Sequence, residues 1–398
     1  MKYYENKEEH GIIIDWKEVF KEFRKLKVPK DFYNPCTLPM ENVALNILLS
    51  ERSDGKTTQC LLIGMILNKL YGTVTQYIRQ TQDMVAPKNC NNIFTTIVSY
   101  NNGQYIKHIT NDKYNNIYIL WHKAYYCYID EEGKRLETAP DPCLQFLSID
   151  NNFNYKSSYN APLGDWIIFD EFQGKFIRPN EFIDFMDLIK TIIRSRKTPR
   201  IIMLSNTIDY NSLYFVELEI HKEIKKLHKG QSAIFKTDKG TNIYVEIIAT
   251  RQNAIKSEIN KMFFGFNNTK LSAITGEGSV WAFECVPHIW HNDDDELICK
   301  NIFVDCVTAH LQIELWRTID RGYIADVHEC NPNKIKDSDI ILTNNDITKR
   351  NQLYGVGRGS LCRIIWQLYK ENKFYYADNS VGSILKNYIQ IYKNNKYL

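Results

Sequence analysis

With 398 residues, 44% of them apolar and 24% charged, the chain is long enough for two or three domains and too apolar for general disorder. A net charge of +3 excludes polyanion binding through overall charge and leaves that role to local basic patches. Ten cysteines without a C-x-x-C pair argue for reduced thiols in a cytosolic setting, not a disulfide scaffold.

The opening MKYYENKEEHG is charged and lacks the apolar core of a signal peptide. No stretch reaches the roughly 20 apolar residues of a membrane span, so no membrane partner is expected. Residues 12–27 place Ile14, Val19, Phe20, Phe23 and Leu26 at helical spacing. After the turn-rich FYNPCTLP, the run ALNILLS predicts a buried strand. TTQCLLIGMILNKLYG then predicts a helix stopping at Gly72, and TVTQYIR a strand. Residues 92–148 hold several short aromatic or β-branched runs: NIFTTIVSY, QYIKHIT, NIYILWHKAYYCYID and LQFLSID. They predict a β-rich insertion in an α/β core.

DWIIFDE and RIIMLSN are apolar strands without alternation, as expected where helices cover both faces of a parallel sheet. Between them NEFIDFMDLIKTIIRSR predicts a helix capped by Asn180, with a stripe of Phe182, Met186, Ile189 and Ile193. VEIIAT predicts a last core strand. The expected domains are an N-terminal α/β unit over 1–250, a linker over 251–290, and a C-terminal α/β domain over 291–398. In the last, NIFVDCVTA, QIELWRTI and GYIADVHEC predict a β-meander before helices near 358–371 and 380–393.

Four motifs carry chemistry. SERSDGKTT, residues 50–58, lies between a predicted strand and a predicted helix, the setting of a phosphate-binding loop. Its candidate nucleotide-binding residues are Ser50, Arg52, Ser53, Asp54, Gly55, Lys56, Thr57 and Thr58, because a turn leading into a helix N-terminus favours a polyphosphate. Lys56 would reach the β and γ phosphates, and Thr57 would hold Mg²⁺ through its hydroxyl. Ser50 stands where the motif has its first glycine, a tolerable change if its φ is negative. Arg52 is a further candidate for the γ phosphate.

The second motif is WIIFDE: a buried strand ends in Asp170, a candidate Mg²⁺ ligand, and Glu171, a candidate general base for an attacking water. An acid pair in this order after the loop points to an ATPase with an added strand and a catalytic Glu (ASCE). The third is RIIMLSN, whose Asn206 is a candidate γ-phosphate sensor. The fourth is IIRSRKTPR, where an arginine at a helix end could act on a neighbouring subunit's γ phosphate. Ordinary helix-end charge explains those arginines too.

Other signals are weaker. GVGRGS at 355–360 follows no suitable strand for a dinucleotide loop. Cys285, His288, His291 and Cys299 match no common zinc finger. Lys222, Lys225, Lys226 and Lys229 could meet a phosphate backbone or line a solvated face.

In combination, FYNP, SERSDGKT, KSSYNAPLGDWIIFDEF, IRPNEFIDFMDLIKTIIRSR and IIMLSN resemble the DNA-encapsidation ATPases of small tailed podophages, short relatives of terminase large subunits. The resemblance spans most of 31–215 and, more weakly, 303–390. It implies a homomeric ring, usually a pentamer, at the portal of a procapsid in the host cytoplasm, docked only transiently and absent from the mature virion. ATP and Mg²⁺ there drive double-stranded DNA inward, in some systems with a structural RNA.

The same resemblance implies catalytic roles for Glu171 and Lys56, makes Arg194 the favoured finger in trans with Arg196 second, and gives the C-terminal domain an RNase H-like fold. Asp305, Asp320, Asp326 and Asp378 offer no convincing two-metal constellation, so a vestigial nuclease is expected. Two alternatives remain open: a terminase-like motor with an active nuclease, and a non-catalytic ATP-binding assembly protein.

Overall fold

The computed structural model describes residues 13–395 except 31, 51–54, 101–102, 152–154, 156–163, 174–179, 195, 197, 207–208, 250–285, 307–308, 344–350 and 353–359. The chain forms two compact units. The first comprises 1–174, 181–208 and 222–280; the second 175–180, 209–221 and 281–398. Two short segments inside the expected N-terminal domain thus belong to the second unit.

The first unit begins with α1 (Trp16–Lys25), which Asp15 caps by accepting from the backbone N–H groups of Lys17 and Glu18. Next come β1 (Leu45–Leu49), α2 (Lys56–Tyr71) and β2 (Thr75–Arg79). Gly72 ends α2 in the left-handed conformation, as its sequence predicts. Residues 91–99 and 104–109 are helical, including α3 (Thr95–Ser99) and α4 (Gln104–Ile109), so the first part of the expected β-rich insertion is helix. Phe94, Ile97, Tyr105, Ile106 and Ile109 are buried at helical spacings, so tertiary burial overrides the β propensity of these residues.

A meander of β3 (Asn116–Leu120), β4 (Lys123–Ile129) and β5 (Arg135–Thr138) follows as expected. β6 (Leu144–Ser148), however, is a core strand lying parallel to β2. β7 (Trp166–Asp170), α5 (Glu181–Ile193) and β8 (Arg200–Ser205) then succeed one another. The buried stripe of α5 is Phe185, Leu188, Ile189 and Ile192; Met186 is exposed. FIDFMDLIKTII is apolar on more than one face, and packing selects the face one residue away from the expected stripe. β9 (Gln231–Lys236) and β10 (Asn242–Ile247) complete the sheet.

The strand order is β3-β4-β6-β2-β7-β8-β1-β10-β9, with β6 through β10 mutually parallel. β1, β7 and the core of β8 are buried throughout. Leu49 pairs with Ser205, Asp170 with Leu204, and Ile78 with Phe169. This register brings the carboxyl ends of β1, β8, β7 and β2 to one edge, where open α/β sheets hold their ligands. Helix α2 is apolar all round and buried, and Trp166 Nε1 donates to the Cys60 carbonyl at 3.0 Å, fixing it on β7. Gly64 lets α2 approach β2: a Cβ there would meet Thr75 Oγ1 at 2.1 Å.

In the second unit α6 (Leu213–Glu217) precedes β11 (Glu296–Asp305), β12 (His310–Thr318), β13 (Gly322–Cys330), β14 (Ile340–Leu342) and β15 (Asn351–Gln352). α7 (Ser360–Lys370), β16 (Phe374–Tyr376) and α8 (Asn379–Asn395) follow. The meander and both helices match expectation. β11, β12 and β13 are antiparallel; β14 lies parallel on the other side of β11, β15 parallel to β14, and β16 parallel to β13. Ile302, Val304, Ile313 and Val327 face Ile365, Leu385 and Ile389 of the helices in one core.

Candidate functional site

Gly55 opens α2 at φ +71°, and its backbone is backed by Phe32, whose ring would lie 2.9 Å from an added Cβ. That conformation and that contact both require glycine. Lys56, next in line, is 5% exposed. Its ammonium donates to Ser50 Oγ and to Asn206 Oδ1, the latter at 2.9 Å. Ser50 and Asn206 come from the ends of β1 and β8, brought together by the bond from Ser50 N to the Ser205 carbonyl at 3.2 Å. Three sequence-predicted residues thus meet at one ammonium.

Thr57 Oγ1 donates to Asp170 Oδ2 at 3.2 Å, which joins the loop to the acid strand. A hydroxyl and a carboxylate side by side are the hard oxygen donors that Mg²⁺ takes. Hydroxyl and amide oxygens around Lys56 are neutral acceptors that phosphate oxygens can replace. The residues present therefore fit a magnesium-bound nucleoside triphosphate.

Two residues not singled out from the sequence complete the cluster, both on β2. Tyr77 Oη donates to Asp170 Oδ2 at 2.6 Å, and Arg79 Nη1 lies 3.5 Å from the same oxygen. Arg79 Nη2 also pairs with Glu171 Oε2. Burial pushes the Tyr77 phenol well up, with Asp170 adding to the effect. Burial opposes the Arg79 charge, but Tyr77, Asp170 and Glu171 outweigh it and push its pKa up. The available signal was weak: TVTQYIR ends in arginine, but only the parallel register of β2 beside β7 aims it at the acids.

Glu171 holds φ +55°, a left-handed conformation uncommon outside glycine and typical of functional sites. The next turn is fixed by Gln80 Nε2, which donates to the Phe172 carbonyl at 3.3 Å and to Glu181 Oε1 at 2.9 Å.

Arg194 and Arg196 do not join this cluster within their own chain. Arg194 is exposed just after α5, and Arg196 lies near Asp165, at the amino end of β7. That is the far edge of the sheet, about 15 Å along the strand from Asp170. Burial raises the Asp165 carboxyl, and Arg196 counteracts it. Arg52, Ser53 and Asp54 lie outside the described residues, and Thr58 sits half-buried in the first turn of α2.

In the second unit the four acids stay apart. Asp305 pairs with His310 at 3.2 Å, Asp320 with Arg321 at 3.4 Å, and Asp326 with His291. Asp378 accepts from the Val381 backbone at 2.9 Å at the start of α8. No group of three or more His, Cys, Asp or Glu is arranged to hold a metal among the described residues. His288 meets Asn379, and Cys285 lies outside those residues.

Among solved structures, the Phi-28 gp11 DNA packaging motor matches 92% of this chain and 99% of its own at 16% identity, with a TM-score of 0.54. The chain has the fold of a phage DNA packaging motor. Weaker likenesses run to the bacteriophage Phi-29 genome packaging motor assembly (16% identity, 92% and 97% covered, TM-score 0.49). They run also to the N-terminal domain of the phi29 DNA packaging ATPase (20%, 54% and 95%, 0.40). No family model and no curated protein sequence matches the chain. Among the described residues no helix is long and apolar enough to cross a membrane.

Proposed function

We propose that this protein is an ATP-hydrolysing motor that moves double-stranded viral DNA into a procapsid through its portal. One observation carries the reading: Lys56, Thr57, Asp170, Glu171 and Asn206 converge at a single sheet edge. They do so in a fold shared with a DNA packaging motor. The working form is a homo-oligomeric ring, a pentamer, docked on the procapsid in the host cytoplasm and absent from the mature virion. A structural RNA is a further proposed partner.

Strand β8 stands between the loop strand β1 and the acid strand β7, which supports the added-strand, catalytic-Glu class. In the second unit, the antiparallel β11–β13 with parallel β14 and β15 beyond β11 support the RNase H-like reading. The dispersed acids favour a vestigial nuclease there over an active one.

Lys56 would exchange Ser50 and Asn206 for β- and γ-phosphate oxygens, and Thr57 and Asp170 would hold Mg²⁺. Bound Mg²⁺ supplies charge neutralisation on the phosphates. Glu171 takes the proton of the attacking water at its carboxylate, which requires that Arg79 not monopolise that group. Asn206, at the end of β8, reports the γ-phosphate position to the chain that follows. Arg194, or Arg196 beside it, acts only on a neighbouring subunit's phosphate, since neither reaches its own.

Glu171→Gln should abolish DNA-stimulated ATP hydrolysis while ATP binding persists. Retained turnover would remove Glu171 as the base. Absence of DNA-stimulated turnover in the unaltered protein would favour the non-catalytic assembly role instead.

A further inference from the structure

Glu171 keeps its left-handed backbone, φ +55°, between two residues that are both tied to β8. Asp170 pairs with Leu204, and the Phe172 N–H donates to the Leu204 carbonyl at 3.2 Å. A glutamate in that conformation crowds its Cβ against the backbone, so it persists only where its surroundings over-determine it. The Leu204 bond fixes the amide side of Phe172. Its carbonyl side is fixed from the other flanking strand, by Gln80, the residue that follows β2.

Gln80 is 4% exposed and directs one amide nitrogen at two acceptors, the Phe172 carbonyl at 3.3 Å and Glu181 Oε1 at 2.9 Å. Glu181 opens α5 and is itself buried. Gln80 is held in turn, because its carbonyl accepts from the Asp150 N–H at 3.3 Å, just past β6. A neutral amide suits a place between a carbonyl and a carboxylate; a glutamate there would offer acceptors to both.

We infer that Gln80 is a positioning residue for the hydrolytic site: by holding the Phe172 carbonyl it locks the kink that aims the Glu171 carboxylate. The inference rests on the reading of Glu171 as the base for the attacking water. Gln80 touches neither nucleotide nor Mg²⁺ in this scheme, so its loss falls on turnover and not on ATP binding.

Two substitutions separate positioning from folding. Gln80→Met keeps the length of the side chain and removes both donations. The exchange Gln80→Glu/Glu181→Gln restores the bond between the two side chains in the reverse sense but leaves a carboxylate facing the Phe172 carbonyl.

DNA-stimulated ATP hydrolysis, ATP affinity and the thermal unfolding midpoint are measured together for the full-length protein and for Glu171→Gln, Gln80→Met, Gln80→Glu and the exchanged pair. Gln80→Met should lower kcat about tenfold or more, as small misplacements of a reacting group can, with ATP affinity within about twofold of the original. The exchanged pair should regain most of the midpoint lost in Gln80→Glu while its kcat stays about tenfold or more below the original. Unchanged kcat in Gln80→Met, with Glu171→Gln inactive, overturns the inference and leaves the ATPase reading standing. Recovery of kcat together with the midpoint in the exchanged pair assigns Gln80 to the fold alone and overturns it as well. So does a loss of ATP affinity that matches the loss of kcat in Gln80→Met. Retained turnover in Glu171→Gln, or no turnover in the unaltered protein, removes the reading of Glu171 as the base and this inference with it.

Discussion

Each sheet buries a carboxylate on a central strand, Asp170 on β7 and Asp326 on β13, yet the two sit in different company. Asp170 takes Thr57, Tyr77 and Arg79 from α2 and β2 and has Glu171 beside it. Asp326 takes His291, which packs at a tilt against Trp316 with ring centres 4.0 Å apart and approaches Asp295 at 3.4 Å. Burial raises the Asp326 carboxyl against the pull of His291. The first arrangement gathers hydroxyls, a cation and a second acid around one point, where phosphate and metal can displace them. The second fastens one segment over a sheet. A buried acid marks a reactive site only when several elements deliver complementary groups to it.

The sharpest way to break this contrast is a pair of truncations. Asp170→Ala should cut ATP turnover at least a hundredfold through the lost Mg²⁺ ligand, beyond whatever stability it costs by leaving Tyr77 and Arg79 without their shared acceptor. Asp326→Ala should leave turnover intact and destabilise the second unit by about 1–2 kcal/mol, the order expected for losing a buried hydrogen bond to His291. Chemical denaturation alongside an ATPase assay reads both. Turnover lost in Asp326→Ala would make the two acids functionally alike.

Arg79→Ala tests the same point from the cation side. Arg79 pairs with Glu171, so its removal frees the proposed base and should raise hydrolysis without DNA by about tenfold, narrowing the stimulation that DNA gives. A fall in DNA-free turnover would mean that Arg79 supports Glu171 instead of restraining it.

What could be read in advance follows from range. The loop, the acid pair and Asn206 each end an apolar run, a signal carried within a few residues, and the structure brings Lys56, Thr57, Asp170 and Asn206 together. Tyr77 and Arg79 were not legible, because their role depends on which strand lies beside β7. The helices at 95–99 and 104–109 read as strands because Ile, Val, Thr and Tyr favour strands locally, whereas burial of Ile97, Tyr105 and Ile109 decides the matter.

A half-buried carboxylate refines the contrast at small amplitude. Glu246 on β10 accepts from Tyr33 Oη at 2.9 Å and Tyr244 Oη at 3.1 Å. Burial raises its pKa above the ordinary 4.5, and the two phenols only partly offset that. Because the folded value is the higher one, folding favours the protonated acid. Its contribution is complete below the ordinary value and is lost as pH rises through the raised one. Glu246→Gln keeps an acceptor for the phenols and carries no charge, so its stability should fall less than that of the original chain as pH rises from about 4.5. The divergence should stay below about 1 kcal/mol, since the group is only partly enclosed. Thermal midpoints of both proteins from about pH 4.5 to 8 measure it. Parallel curves would show that the phenol donors of Tyr33 and Tyr244 suffice to hold this half-buried carboxylate in its charged form.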